Sequence, residues 1–455
     1  MTLSKKQQFL INSSAVAVLI FIILRWFFLI DKYSVNMLFW DQWDFMGGLF
    51  EEKGPWELFS WQHGPHRQGV GFFLTKIVAD LSGWNTRVEC FMIGTVICLA
   101  AVVALLLKRR LTGSVTALDV AIPLLYLSPL QFELFANTPN VSHGAMPLLL
   151  ITLFCLCWTI KNITLRYVIC AAINFMTIYT GFGVFVGCIV PFLFLSEIIL
   201  AFRNNDQRRK ISAIFFFIVS VASMLSFFIN YTFNSAAEGF VFPHPHPLIY
   251  VKFILITFAT FIGMRISHVI LYIIAAPIIF FMITILVKAI LKILHSILRK
   301  RSDMQQEKET AFWQIIIILI AFTLLFSLNL AIGRACLGLG AATSSRYLPY
   351  MTPGFFAFYL FFATKKQQPV KLIAFLMVFF FITTFSIGNS NKKYYDRIRT
   401  GKEKWKQVYL KTENINRSNI LSEFRIHPNP QAAKLKKRLE YLKKNRLNLY
   451  LDAQH

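Results

Sequence analysis

The chain has 455 residues, 47 Lys+Arg against 22 Asp+Glu for a net charge of +25, and 56% hydrophobic residues. A chain this apolar cannot be disordered. Apolar runs of about 18 residues recur through it, marking membrane-spanning helices rather than the two or three domains of a soluble protein of this length.

The predicted spans are residues 9–30, 88–107, 115–128, 145–160, 166–180, 184–202, 211–231, 267–291, 312–331, 346–363 and 371–388, eleven in all. The first follows a short basic start, lacks a small-residue cleavage site and reads as an uncleaved anchor. Positive charge falls on alternate connections: Lys5 and Lys6, Lys108 to Arg110, Lys161 and Arg166, Arg203 to Lys210, Lys292 to Lys308, and Lys365 to Lys371. The intervening segments 130–144, 181–183 and 232–247 contain no Lys or Arg. The positive-inside rule places the first set, and the N-terminus, in the cytoplasm. The charge is therefore topological, and nucleic acid is not the expected partner. Residues 248–263 are apolar but would break the alternation as a span, so they are read as a re-entrant or interfacial helix.

Residues 389–455 then lie on the outer side with 17 Lys+Arg and 6 Asp+Glu. Such placement is allowed because charge loses its hold on segments longer than about 60 residues. The spacing of Leu435, Leu439, Leu442 and Leu447 predicts a small helical domain resting on anionic headgroups. The expected fold is thus an all-α polytopic membrane protein. About eleven transmembrane helices fill residues 1–388, a first external loop spans 31–87, and a basic extramembrane domain spans 389–455. The seven cysteines fall almost entirely in apolar runs, with neither a disulfide framework nor metal-ligand spacing.

Ionisable residues set against an apolar background mark function in such a protein, and acids concentrate in the first external loop. Its Phe39-Trp40-Asp41-Gln42-Trp43-Asp44-Phe45 element places two carboxylates three apart, on one face if the stretch is helical. Apolar rings beside them are expected to raise their pKa values and favour a general base. Two solvated loop acids with interfacial aromatic anchors are the plainer reading. The loop continues to Trp61-Gln62-His63-Gly64-Pro65-His66-Arg67-Gln68. Arg67 suits a phosphate, while His63 and His66, with Asp41 or Asp44, are an alternative site for a divalent metal. Two further outer patches are Gln131-Phe132-Glu133, continuing to Asn137, Asn140 and His143, and Gly333-Arg334 leading through a small-residue loop to Ser345-Arg346-Tyr347. Arg334 and Arg346 flank that loop as a candidate anion site. The Pro-alternating pair His244 and His246 reads as a rigid loop.

These elements together resemble the C-type superfold of integral-membrane glycosyltransferases (GT-C). Within it, the chain is similar to a set of bacterial membrane proteins. They share Trp-Asp-x-Trp-Asp (here 40–44), His-x-x-His-Arg (63–67), Gln-x-Glu (131–133), Gly-Arg…Ser-Arg-Tyr (333–347) and a basic C-terminal domain. One departure is Gly64-Pro65, where those relatives usually carry Asn-Glu. The resemblance implies transfer of a sugar from a polyprenyl-phosphate donor to a cell-envelope glycan or glycolipid acceptor at the periplasmic face of the inner membrane. It implies Asp41 as base, Asp44 as second carboxylate, and His63, His66, Arg67, Gln131, Glu133, Arg334, Arg346 and Tyr347 as substrate contacts, with membrane lipids around the protein. No cofactor is required. A transporter or flippase, or a polymerase or ligase, of lipid-linked glycans is the alternative.

Overall fold

The computed structural model describes residues 5–233, 239–264, 268–298, 304–364, 389–431 and 434–451. The predicted span 371–388, the cations Arg299 to Arg301 and Lys365 to Lys371, and the acids Glu238 and Asp303 lie outside the described residues.

The architecture is helical. In chain order, α1 (Lys5–Tyr33) leads into three short helices, α2 (Gln42–Phe45), α3 (Gly47–Phe50) and α4 (Pro55–Phe59). A hairpin of β1 (Gln62–His63) and β2 (His66–Arg67) follows, then α5 (Gly69–Ser82), α6 (Thr86–Thr112), α7 (Ala121–Tyr126), α8 (Ala145–Cys157), α9 (Ile163–Ile178), α10 (Val184–Arg203) and α11 (Gln207–Ser226). The second half contains α12 (Leu248–Phe261), α13 (His268–Leu298), α14 (Met304–Arg334) and α15 (Leu348–Ala363). The tail contributes α16 (Asn389–Thr412), α17 (Ile415–Ser422) and α18 (Leu435–Lys444).

Six helices among the described residues are long and apolar enough to cross a membrane: Ser13–Tyr33, Thr86–Thr112, Val184–Arg203, Gln207–Ser226, Val269–Leu298 and Gln306–Leu337. Local sequence sets their ends. The Asn85 side chain accepts the Arg87 N–H to start α6, and Asp206 accepts the Arg209 N–H to start α11, each satisfying a donor the first helical turn leaves open. The run 115–128 is broken: a 3₁₀ turn (Ala117–Val120) leads to the six-residue α7, and Pro129 opens a further 3₁₀ turn. The apolar run marks a buried segment, but it does not make one continuous helix. α12 has 14 residues, about 21 Å of helix, and packs on α13, α14 and α15.

Two polar networks tie the helices together at the end that carries the basic connections. Glu197 on α10 accepts from Arg166 (3.2 Å), Arg209 (2.8 Å) and the Tyr167 hydroxyl (2.6 Å), and its other oxygen accepts from Gln314 (3.0 Å). Lys108 on α6 pairs with Asp119 at 2.7 Å, and Asp119 also accepts the Tyr359 hydroxyl.

At the other end, the first loop and the tail share one hydrophobic core. Trp43, Phe45, Leu58, Phe72 and Trp84 pack in the same cluster as Trp405, Tyr409, Leu435, Leu439 and Leu442. The leucine periodicity of α18 therefore faces the first loop.

Candidate functional site

A cavity of about 140 Å³ opens among the connections at this loop-and-tail end. Asp41, His63, His66, Glu133, Arg334, Arg346 and Tyr347 line it, as do Phe45, Asn140, His143 and Phe182. It is small beside the roughly 300–1,000 Å³ of sites that enclose a drug-sized ligand.

The hairpin presents two of the histidines. Gly64-Pro65 forms its two-residue turn, with Gly64 at φ +59°. Two-residue turns of one class take glycine at the first central position, and proline's fixed negative φ is compatible with the second. The turn places His63 opposite His66 in register, and cross-strand partners project to the same face. The third histidine arrives by a close backbone approach. The Gly181 N–H donates to the Arg67 carbonyl at 2.8 Å, and a Cβ on Gly181, at φ +58°, would lie 2.4 Å from the Ser142 oxygen. Only glycine lets these three segments meet. His66, His143 and Phe182, each one residue from a meeting point, thereby form a ring cluster with centroids 5.0 to 5.8 Å apart.

Burial sets the charge state of the histidines. Burial, with His143, His63 and Arg334, holds His66 well below the ordinary imidazole value. Burial and then Arg346 push His143 down to about 3. Burial also lowers His63, outweighing the opposite pull of Asp41 and Asp44. At neutral pH each therefore offers one donor and one acceptor. Both His66 nitrogens are buried with no hydrogen-bond partner among the described residues. An unmade hydrogen bond on a buried group costs about 1–3 kcal/mol, so this imidazole is poised for a ligand.

The acids and arginines form a second group. Glu133 opens a π-helical turn, Glu133–Asn137, a geometry frequent at functional sites. Its Oε2 accepts from the Ser344 hydroxyl (2.6 Å), the Ser345 hydroxyl (3.0 Å) and the Arg346 N–H (3.0 Å). Burial alone would raise this carboxyl, but Arg346 and these hydrogen bonds hold it below its ordinary value. Arg346 bridges the two acids, with Nη1 2.6 Å from Asp41 and Nη2 3.6 Å from Glu133. Arg334, the last residue of α14, faces the cavity with no carboxylate partner among the described residues. One guanidinium is thus neutralised twice and the other is uncompensated.

Three expected contacts lie elsewhere. Arg67 is buried away from the cavity and donates to the carbonyls of Phe227 (2.8 Å), Ile229 (2.6 Å) and Ser60. It closes the carbonyl end of α11, a task the helix terminus requires. Gln131 donates to the Tyr126 carbonyl at 3.1 Å and is fully buried. Asp44, in the single-turn α2 that Asp41 precedes, does not line the cavity. Its carboxylate turns to His427 and Arg438 of the tail, both at 3.3 Å. Burial would raise Asp44, but His427, Arg438 and His63 hold it below its ordinary value. That reverses the expectation drawn from its aromatic neighbours. His143 and Phe182 complete the cavity without having been singled out as contacts. The His143 ring was visible in its polar patch, whereas nothing local to Phe182 marked it.

Among the described residues no three His, Cys, Asp or Glu side chains are grouped to hold a metal ion. No family model, curated protein or solved structure matches this chain.

Proposed function

We propose that the chain is a membrane-embedded glycosyltransferase that takes a sugar from a polyprenyl-phosphate donor and passes it to a cell-envelope glycan or glycolipid. The observation that carries this reading is the composition of the cavity. Two carboxylates, Asp41 and Glu133, share it with two guanidinium groups, Arg334 and Arg346, and with three imidazoles, His63, His66 and His143. In this reading the eleven-span topology holds, and the cavity faces the periplasm at headgroup level, where a polyprenyl phosphate presents its sugar.

Arg334 takes the donor phosphate, as a planar guanidinium makes paired charge-assisted bonds to phosphate oxygens. The phosphate then competes with Asp41 for Arg346. Asp41, released, accepts the proton of the acceptor hydroxyl. That oxygen bonds to the anomeric carbon while the bond from this carbon to the phosphate oxygen breaks, and the electron pair leaves on the lipid phosphate. The two arginines stabilise the charge that develops there. The neutral imidazoles pair with sugar hydroxyls. A single displacement inverts the anomeric carbon.

The test is the Asp41→Asn variant, purified and supplied with polyprenyl-phosphate sugars. Transfer should fall by about 10²- to 10⁴-fold, the range of a general base, with polyprenyl phosphate still bound. Transfer at the normal rate would remove Asp41 as base. A wild-type chain that transfers nothing, but moves such lipids across vesicle bilayers, would replace the enzyme with a flippase.

A further inference from the structure

The two acid-bearing segments of the site, at residues 40–44 and 133–137, are bonded to the C-terminal domain. The Trp40 N–H donates to the Ile426 carbonyl at 2.8 Å. Asp44, one turn beyond Asp41, has a carboxylate oxygen 3.3 Å from His427 Nε2 and the other 3.3 Å from Arg438 Nη1. Arg438 also donates to the Trp43 carbonyl and lies over the Phe50 ring at 5.3 Å. The Glu133 side is tied in the same manner. Lys402, buried at 1% exposure, donates to the Asn137 carbonyl at 2.6 Å, at the end of the π-helical turn that Glu133 opens, and stands 4.9 Å from the Phe39 ring. Both acids that hold Arg346 thus sit on short segments whose other side is gripped by the tail.

Segments this short hold themselves weakly, and apart from the tail α2 is tied by Gln42, which donates to the Pro139 carbonyl at 3.1 Å. α2 has four residues and no side-chain cap, and a single turn fixes many dihedrals for few hydrogen bonds. A displacement of about 1 Å at a reacting group costs about 100-fold in rate. A tail that only covered the hydrophobic first loop would need no charged contacts to its backbone carbonyls and to Asp44.

We propose that the C-terminal domain is a working part of the site, with His427 and Arg438 as positioning residues that set Asp41 through Asp44, and Lys402 as a positioning residue that sets Glu133 through residues 136–137. The inference rests on Asp41 being the base proposed above. It extends that reading to a part of the chain about 385 positions away in sequence, the separation between His427 and Asp44 being 383.

The full chain carrying Arg438→Ala, His427→Ala, Arg438→Lys or Asp44→Asn tests this. Three readouts are taken: kcat and KM for a polyprenyl-phosphate sugar, affinity for polyprenyl phosphate alone, and amide hydrogen exchange over residues 40–46. In the two alanine variants we expect kcat to fall about 10- to 100-fold, with polyprenyl-phosphate affinity within about twofold of wild type. Exchange should speed up at 40–46 while α6 and α14 are unchanged. Arg438→Lys, which keeps the charge without the planar fork, should recover part of kcat. Asp44→Asn keeps the side chain's volume and should lose kcat even if an alanine variant fails to fold. The proposal is overturned if kcat stays at wild type in both alanine variants, if affinity falls in step with kcat, or if exchange at 40–46 does not change. Should the wild-type chain transfer from no donor, the glycosyltransferase reading falls. The exchange measurement still decides whether the tail holds the loop.

Discussion

Glu197 and His66 are buried to nearly the same degree, at 2% and 4% exposure, yet their surroundings are opposite. Glu197 sits near the far end of α10 and accepts hydrogen bonds from Arg166, Arg209, Tyr167 and Gln314. His66 sits about one helix length away, packed on Phe182 just before α10 begins, and neither of its nitrogens has a hydrogen-bond partner among the described residues. Burying polar groups is costly unless each is paired. The carboxylate with both oxygens paired therefore reads as a clamp between helices, and the unpaired imidazole as a site held ready for something that binds. Arg346 and Arg334 repeat the contrast within the cavity: the first is matched by two carboxylates, the second by none among the described residues.

The contrast breaks most visibly at Glu197. Glu197→Ala takes from Arg166 its carboxylate partner and leaves Arg209 with Glu307 alone at 2.8 Å, and should cost about 3 kcal/mol of stability, read as a lower unfolding temperature. If it is tolerated without loss, that end is not the clamp described. Arg334→Ala should leave stability within about 0.5 kcal/mol while weakening polyprenyl-phosphate binding by about 1.5–3 kcal/mol, the worth of a charged hydrogen bond. Titration of the full chain reports both. Next in size is pH. Folding lowers the pKa of His143 to about 3 from about 6.5 when unfolded, so the unfolded chain binds the extra proton. The stability tied to neutral His143 is complete above about pH 6.5. It declines as pH falls toward 3, at up to about 1.4 kcal/mol per pH unit. His143→Gln should flatten that part of the slope in thermal melts taken between pH 7 and 5. The smallest effect is expected at His66. Replacing an imidazole that has no hydrogen-bond partner among the described residues with leucine should change stability little or raise it, while ligand binding weakens.

Much of this was visible in the sequence, for physical reasons that differ by residue. Apolar length alone marks the long helices, because a bilayer demands it. Asp41, His63, His66, Glu133, Arg334 and Arg346 stand out because ionisable groups beside apolar runs are expensive unless used. Arg67 and Gln131 carry the same signal but spend it on backbone carbonyls, and the sequence does not show which carbonyls the fold brings near. A spacing of three suggested one shared face for Asp41 and Asp44. It could not reveal that His427 and Arg438 take Asp44 from the far end of the chain. His143 and Phe182 reach the cavity through the close approach at Gly181, a tertiary event with no local pattern. The same holds for the broken run at 115–128, where composition reported burial and the 3₁₀ turns were set by packing and proline.

The most direct test is the thermal unfolding of the full chain across a titration of polyprenyl phosphate, in wild type, in Arg334→Ala and in Tyr167→Phe, which removes one donor from the Glu197 carboxylate. At about 100 times its Kd a ligand stabilises by about 2.7 kcal/mol. The prediction is that polyprenyl phosphate raises the unfolding temperature of wild type and of Tyr167→Phe by the same increment, from a lower baseline in the latter, and that the increment in Arg334→Ala falls to half of this or less, since binding weakened by about 1.5–3 kcal/mol leaves about 0.3–1.3 kcal/mol of stabilisation. A full increment in Arg334→Ala, or its loss in Tyr167→Phe, would contradict the assignment of the two ends.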